Sequence, residues 1–346
     1  MKQLFKFALV AWALLMGMTS CQKEESTDTP KNILVCQSPA FLKEGDTVAL
    51  ISPSYYTPME NVEKAATIIR EWGYVPVIGK NVGKIHAGNY AGTMEERMED
   101  LIWAFEDPSV KAIICNRGGY GSIQFVDKVP LSLFAQNPKW FVGFSDITTF
   151  HTMLSHAGVM SLLGPSGNFL GSHNPSLSNT LVHNILSGTI PMYEIPAHPQ
   201  NIVGTASGTL VGGNLITFTQ LDGSSLDITG NDDIILFLEE IGELWENIDR
   251  QVNILMLSGV LSRCKGVILG EFTDCEKNLD YESIEAMLRP YFEQYGIPLM
   301  CGFPEGHDDV NMPLVMGAQV TMDVRPTGAT LSFHMNREQE IVVRSE

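Results

Sequence analysis

From residue 46 onward the chain alternates between short uninterrupted apolar runs and longer stretches in which apolar positions recur every three or four residues. The runs DTVALISPS (46–54), YVPVIGK (74–80), KAIICNRGG (111–119), WFVGFSD (140–146) and VMSLLGP (159–165) predict strands. NVEKAATIIREWG (61–73) predicts an amphipathic helix closed by Gly73. TMEERMEDLIWAFEDP (93–108) predicts another, with Thr93 as N-cap and Glu96 at the capping-box position. The strands lack the apolar–polar alternation of a half-exposed sheet, so both faces should be covered. Strand–helix alternation of this kind predicts a doubly wound parallel sheet, here an N-terminal α/β domain over residues 40–190.

Residues 191–206 carry prolines and no period, which predicts a linker. Beyond it the pattern loosens into the β-like runs GTLVGGNLITF, DDIILFLEE, KGVILGEF, AQVTMDV and ATLSFHM, interrupted by two helical stretches, ENIDRQVNILMLSGVL and YESIEAMLRPYFEQYG. Residues 207–346 should therefore be a C-terminal mixed α/β domain, rich in strands at its end. No internal repeat is visible.

The first 21 residues are of another kind. Lys2 and Lys6 precede the apolar stretch FALVAWALLMGM, and Thr19-Ser20-Cys21 follows. That is the layout of a secretory signal, too short to span a bilayer as a helix. MTSC resembles a lipobox, in which Cys21 is lipidated and becomes the new N-terminus. Residues 22–39 then read as a flexible, core-poor tether holding the domains off a membrane. QKEE after Cys21 resembles an acidic surface-export signal. The expected location is exported and membrane-anchored, on the periplasmic side or at the cell surface.

Composition narrows the partners. A hydrophobic share of 44% and a mean hydropathy of +0.05 fit a packed globular protein. The formal net charge of −18, without a basic patch, repels phosphate backbones, so nucleic acid is excluded as a partner. Beyond Cys21 the cysteines are Cys36, Cys115, Cys264, Cys275 and Cys301, an odd, scattered set without a CxxC, best read as buried free thiols.

Several stretches could carry chemistry. In CNRGGYGS, Gly118, Gly119 and Gly121 follow a strand, where backbone N–H groups can bind an anion or oxyanion; a tight turn needing positive φ is the equal alternative. The spacing is GGxG, not the dinucleotide GxGxxG. Ser145 in FVGFSDIT occupies a strand–turn–helix junction, but Asp146-Ile147 replaces the final glycine of GxSxG, so helix capping competes with nucleophilic chemistry. His307 alone among the eight histidines sits in a Gly/Pro-rich loop, GFPEGHDDVNMPL. Asp308 and Asp309 beside it lack a second histidine at ligand spacing, so no metal site is expected. Glu239 and Glu240 end a strand and must point to opposite faces; Glu246 reads as solvated.

Together these stretches resemble the LD-carboxypeptidase family of serine peptidases, which includes the related microcin C immunity peptidases. The resemblance runs from about residue 46 to residue 340, through DTVALISPS, AIICNRGGYG, FVGFSDIT, GTLVGGNLITFTQLDG, FLEEIGE with IDR, and GFPEGH with Asn311 and Leu314. It implies a Ser–Glu–His triad of Ser145 as nucleophile, His307 as base and Glu239 as orienting acid. It also implies an oxyanion hole or substrate contact at Asp146, Arg117, Gly118 and Gly119, no metal or cofactor, and a homodimer. The implied reaction is hydrolysis of the L,D-peptide bond that releases D-alanine from murein tetrapeptides through an acyl-enzyme. Two departures bear on the site: Glu240 stands where relatives often have aspartate, and Gln124 where they often have arginine. The alternatives are an immunity peptidase acting on a peptidyl- or aminoacyl-nucleotide, and a non-catalytic lipoprotein that binds peptides or glycans.

Overall fold

The computed structural model describes residues 31–172, 176–227 and 231–345. The signal segment, Cys21 and most of the tether lie outside the described residues. Asn32–Glu346 form one compact unit.

In chain order the first strands are β1 (Thr47–Ile51), β2 (Val75–Ile78), β3 (Val110–Cys115), β4 (Trp140–Gly143) and β5 (Ser161–Leu163). They are followed by β6 (Thr189–Pro196), β7 (Gly204–Asn214), β8 (Ile234–Ile241), β9 (Cys264–Thr273) and β10 (Leu299–Cys301). The last are β11 (Leu314–Met316), β12 (Gln319–Arg325), β13 (Gly328–His334) and β14 (Gln339–Arg344). The helices used below are α1 (Met59–Glu71), α2 (Met94–Glu106), α3 (Leu131–Gln136) and α4 (Thr148–His156). The first sheet has the order β11-β5-β4-β3-β1-β2, parallel except for β11, which runs antiparallel to β5. The second has the order β10-β9-β8-β7-β12-β13-β6-β14, and is mixed.

Alternation along the strands sorts side chains into three cores. Ala49, Ile51, Ile113 and Phe141 pack against α2, α3 and α4 on one side of the first sheet. Val48, Leu50, Ile114 and Val142 face the opposite way, into a core that also receives Ile235, Phe237, Ile268 and Phe303 from the second half of the chain. The outer face of the second sheet, with Ile234, Leu236 and Leu238, packs on the two helical stretches read from the sequence, now Trp245–Leu257 and Ile284–Glu293. Both faces of each sheet are thus covered where the strands read as unbroken apolar runs. The capping box at Thr93 and Glu96 forms as expected.

Residues 191–206 are not an irregular linker. They carry most of β6 and the start of β7, and β6 lies between β13 and β14. Pro191 and Pro196 obscured the period-two burial of positions 191, 193 and 195. The half of the chain after residue 207 also returns to the first sheet, through β11. Four of the five described cysteines are buried, and all five are free thiols.

Phe303, with no exposed surface, packs edge-on to Tyr193 (5.2 Å) and Phe237 (6.2 Å) in the shared core. Phe303→Ala is expected to lower unfolding free energy by about 3–5 kcal/mol in urea denaturation, the cost of an aromatic cavity that cannot collapse.

Candidate active site

Ser145 follows β4 in a left-handed backbone conformation, φ +64°, that a non-glycine residue adopts at a cost of roughly 1–3 kcal/mol. It opens a 3-10 turn, Ser145–Ile147, that runs directly into α4. Ser145 is half-buried, whereas its neighbours on both sides are buried. As a first-turn residue Asp146 has an N–H that no helical carbonyl can accept from. The strained turn is braced from below by His151, whose ring is wedged between Ser161 Oγ (2.7 Å) and the Gly143 carbonyl (2.8 Å). Burial pulls the His151 imidazole down to about 4, so it is a neutral structural group.

The glycines of CNRGGYGS explain themselves by contact. A Cβ on Gly118 would stand 2.8 Å from Ser145 Cβ and 3.1 Å from its Oγ, and one on Gly119 (φ +105°) would strike the Tyr55 ring. Tyr55 N–H donates to the Gly118 carbonyl at 3.2 Å. Arg117 is exposed; its Nη1 donates to the Tyr56 carbonyl (3.3 Å) and its guanidinium lies 5.9 Å from the Tyr55 ring centre. The peptide groups of Arg117, Gly118 and Gly119 therefore lie against the Ser145 turn.

The Asp146 side chain has a separate task that sequence reading missed. It accepts from Ser54 Oγ and from the Ser122 N–H (2.9 Å), while Ser122 Oγ donates to the Asp146 carbonyl (3.0 Å). Burial raises the Asp146 carboxyl, and these hydrogen bonds together with Arg97 pull the other way. Arg97, buried on α2, donates to the carbonyls of Pro53 (3.0 Å) and Gly121 (2.9 Å) and to Gln124 Oε1 (2.5 Å). Gln124 is thus engaged by a guanidinium from another helix.

β8 settles the two glutamates. Residues 235 and 237 face the core shared by both sheets, and Glu239 follows them; Glu240 follows 236 and 238 to the other face. Glu239 Oε2 lies 2.9 Å from His307 Nδ1, with side-chain exposures of 1% and 14%. Glu240 accepts from Asn214 Nδ2 (2.7 Å), Ile216 N–H (3.0 Å) and its own neighbour Ile241 N–H (2.9 Å). Burial first, then Glu239, raises the Glu240 carboxyl to about 7. Gly213 and Asn214 of the GGN motif connect the two halves: Asn214 N–H donates to Thr148 Oγ1 (3.0 Å), and a Cβ on Gly213 would stand 2.4 Å from that oxygen.

His307 stacks at 4.8 Å between ring centres on Phe144, the residue before Ser145. Glu239 and His307, far apart in sequence, are thus paired, and the His307 ring lies against the residue that precedes Ser145. With Nδ1 turned to a carboxylate, Nδ1 carries the proton and Nε2 is left with its lone pair. Burial pushes the imidazole down, but Glu239, then Glu240 and Asp308, outweigh it and hold it above the ordinary histidine value. Asp308 accepts from Thr273 Oγ1 (3.0 Å), and Glu246 is exposed, as expected. Among the described residues no group of three His, Cys, Asp or Glu side chains is placed to hold a metal ion.

Comparison with known proteins finds relatives along most of the chain. The LD-carboxypeptidase N-terminal domain matches residues 48–164, and the LD-carboxypeptidase C-terminal domain matches residues 207–322. The chain is 31% identical to a Bacillus subtilis protein named as a probable murein peptide carboxypeptidase, covering 85% of this chain and 93% of that protein. It is 26% identical to the microcin C7 self-immunity protein of Escherichia coli, over 82% of this chain and 92% of that protein. The solved muramoyltetrapeptide carboxypeptidase of Oxalobacter formigenes superposes with a TM-score of 0.75 at 26% identity, covering 84% of this chain and 99% of the other.

Gly118→Ala should displace Ser145 without unfolding the protein. The expected result is a fall of about a hundredfold in the rate at which a fluorophosphonate labels Ser145, with an unchanged circular dichroism spectrum.

Proposed function

The chain belongs to the LD-carboxypeptidase family and is a serine-type carboxypeptidase hydrolase, and from that premise we propose that it releases terminal D-alanine from murein tetrapeptides through a Ser145–Glu239–His307 triad. The observation that carries this reading is the hydrogen bond of the buried Glu239 to His307, with the imidazole laid on the residue next to a strained serine. In the proposed mechanism His307 Nε2 takes the Ser145 proton as Oγ attacks the carbonyl of the L,D-peptide bond. Glu239 holds the ring and stabilises the imidazolium, and the N–H groups of Asp146 and of Gly118 or Gly119 stabilise the tetrahedral oxyanion. The imidazolium returns its proton to the departing D-alanine nitrogen. Water, activated by the same base, then releases the acyl group from Ser145.

Arg117 supplies what an exopeptidase on an acidic protein needs, a cation for the free carboxylate of the substrate. Its guanidinium, with one carbonyl partner, keeps N–H groups for that purpose. The same loop supports a second reading. Tyr55, Tyr90 and Tyr120 form an aromatic cluster with ring centres 5.8 and 6.3 Å apart, and Tyr120 is 45% exposed. Such rings can stack a nucleobase, which would suit an aminoacyl-nucleotide of the kind the immunity reading requires.

At the N-terminus we propose cleavage before Cys21 and lipidation of that residue, which would anchor the enzyme on the periplasmic or outer face of a membrane with its tether. A homodimer is the oligomer proposed from the family resemblance.

Purified protein incubated with muropeptide tetrapeptide should liberate D-alanine, read by mass spectrometry, and Ser145→Ala should lose at least about a thousandfold of that activity. Turnover of an aminoacyl-adenylate analogue with none of the tetrapeptide would instead select the second reading. Because His307 must be neutral to act as base and its folded value is raised, kcat/KM should fall as pH drops through a value above about 6.5. Arg117→Met should reduce kcat/KM on the free acid by about tenfold or more while leaving the C-terminal amide, already a poor substrate, nearly unchanged. Incorporation of a fatty-acid analogue in cells, abolished in Cys21→Ser, tests the anchor.

A further inference from the structure

Glu305 stands two residues before His307, in GFPEGH, and no step of the proposed mechanism uses it. It has no exposed surface. Its backbone is fixed to β9, where Glu271 N–H donates to the Glu305 carbonyl at 2.9 Å. Its carboxyl has one weak neutral donor, Asn311 Nδ2, at 3.3 Å from Oε1. Asn311 is itself held firmly, giving Nδ2 to the Gly306 carbonyl (2.7 Å) and its own N–H to Ser178 Oγ (2.9 Å).

Three buried oxygens in this cluster lack a donor among the described residues: Oε1 of Glu239, Oε2 of Glu305 and Oδ1 of Asn311. All three are acceptors, so no rotation among them satisfies any of them. Flipping the Asn311 amide would only strip the Gly306 carbonyl and Glu305 Oε1 of their donor. A proton on one carboxyl would give these acceptors a donor. Two fully buried carboxylates in one cluster cannot both ionise unless a cation answers each, and His307 answers Glu239 alone.

We propose that Glu305 is a positioning residue: it stays a neutral carboxylic acid and, with Asn311, closes the buried side of Glu239, leaving Glu239 as the cluster's single anion with its charge directed at Nδ1 of His307. This rests on the reading of Glu239 and His307 as orienting acid and base. The groups that bear on Glu305 agree in direction. Burial first, then Glu239 on β8 and Glu271 on β9, drive its carboxyl well above the ordinary range, and only Asn311 opposes them. The arrangement matters to catalysis because a second anion at this spot would hold the imidazolium more tightly. That would carry His307 out of the range in which it is a neutral base near working pH.

The test is an NMR titration of the His307 ring in the full-length protein, with its signal assigned by its loss in His307→Gln. Glu305→Gln replaces a neutral acid by a neutral amide of the same shape, so the midpoint for His307 should stay within a few tenths of a unit. If Glu305 were ionised in the native protein, the substitution would remove an anion beside the ring. The midpoint would then fall by roughly one unit or more, and the proposal would be overturned. The positioning role has its own readout. Glu305→Leu should lower kcat about tenfold or more with KM within twofold, and Glu305→Gln should restore it; a folded Glu305→Leu with native kcat also overturns it. Should the leucine variant not fold, the glutamine titration decides. That titration needs no substrate, so an error in the proposed substrate would leave it readable.

Discussion

A carboxyl side chain with almost no exposure, set between two sheets, requires a partner, because desolvation of a charge is compensated only by a donor or cation held in place. Glu239 meets that requirement with His307 at 2.9 Å. Much of the local architecture follows from the pairing. The Gly/Pro-rich loop bearing His307 leaves β10 through Phe303, which anchors it in the shared core, and Asn311 and Ser178 fix its far end. Phe144 then sets the ring beside the Ser145 turn. Each contact constrains the orientation of one imidazole.

The turn itself depends on a second polar system, separate from the first. A serine in left-handed conformation persists only where its surroundings over-determine it. Here His151 fixes the Gly143 carbonyl behind it, Asp146 is tied to Ser54 and Ser122 ahead of it, and Arg97 holds together the loops that carry those two serines. Thr148 and Asn214 join this system to the strand next to β8, which carries Glu239. Serine and histidine, held by different elements, therefore share one frame, and the rigidity of that frame is what the proposed nucleophile and base would need.

Much of this was legible in the sequence, for identifiable reasons. The strands of the first sheet are apolar on both faces, so they stand out as runs, and Thr93 with Glu96 marks a helix start in plain view. Ser145 and His307 each break a local rule, an incomplete GxSxG and a glycine-rich histidine loop. What could not be read was facing. In IILFLEE every residue before the glutamates is apolar, so nothing in the pattern tells which side of β8 looks inward; only the packing of Ile235 and Phe237 assigns Glu239. Residues 191–206 were misread because Pro191 and Pro196 look like breakers, although β6 tolerates both. Arg97 and Ser54 had no signal at all. A buried arginine in an amphipathic helix looks like any exposed one until the loops that surround it are in place.

The central claim is that acyl transfer passes through Ser145 under the control of the Glu239–His307 pair. Its most direct test is to quench the reaction with tetrapeptide on the millisecond scale, digest the protein and locate the adduct by mass spectrometry. The account predicts a tripeptidyl ester, the substrate less its terminal D-alanine, on the peptide containing Ser145, and its decay on a longer chase. Turnover without any ester at Ser145, or an adduct on another side chain, would contradict it.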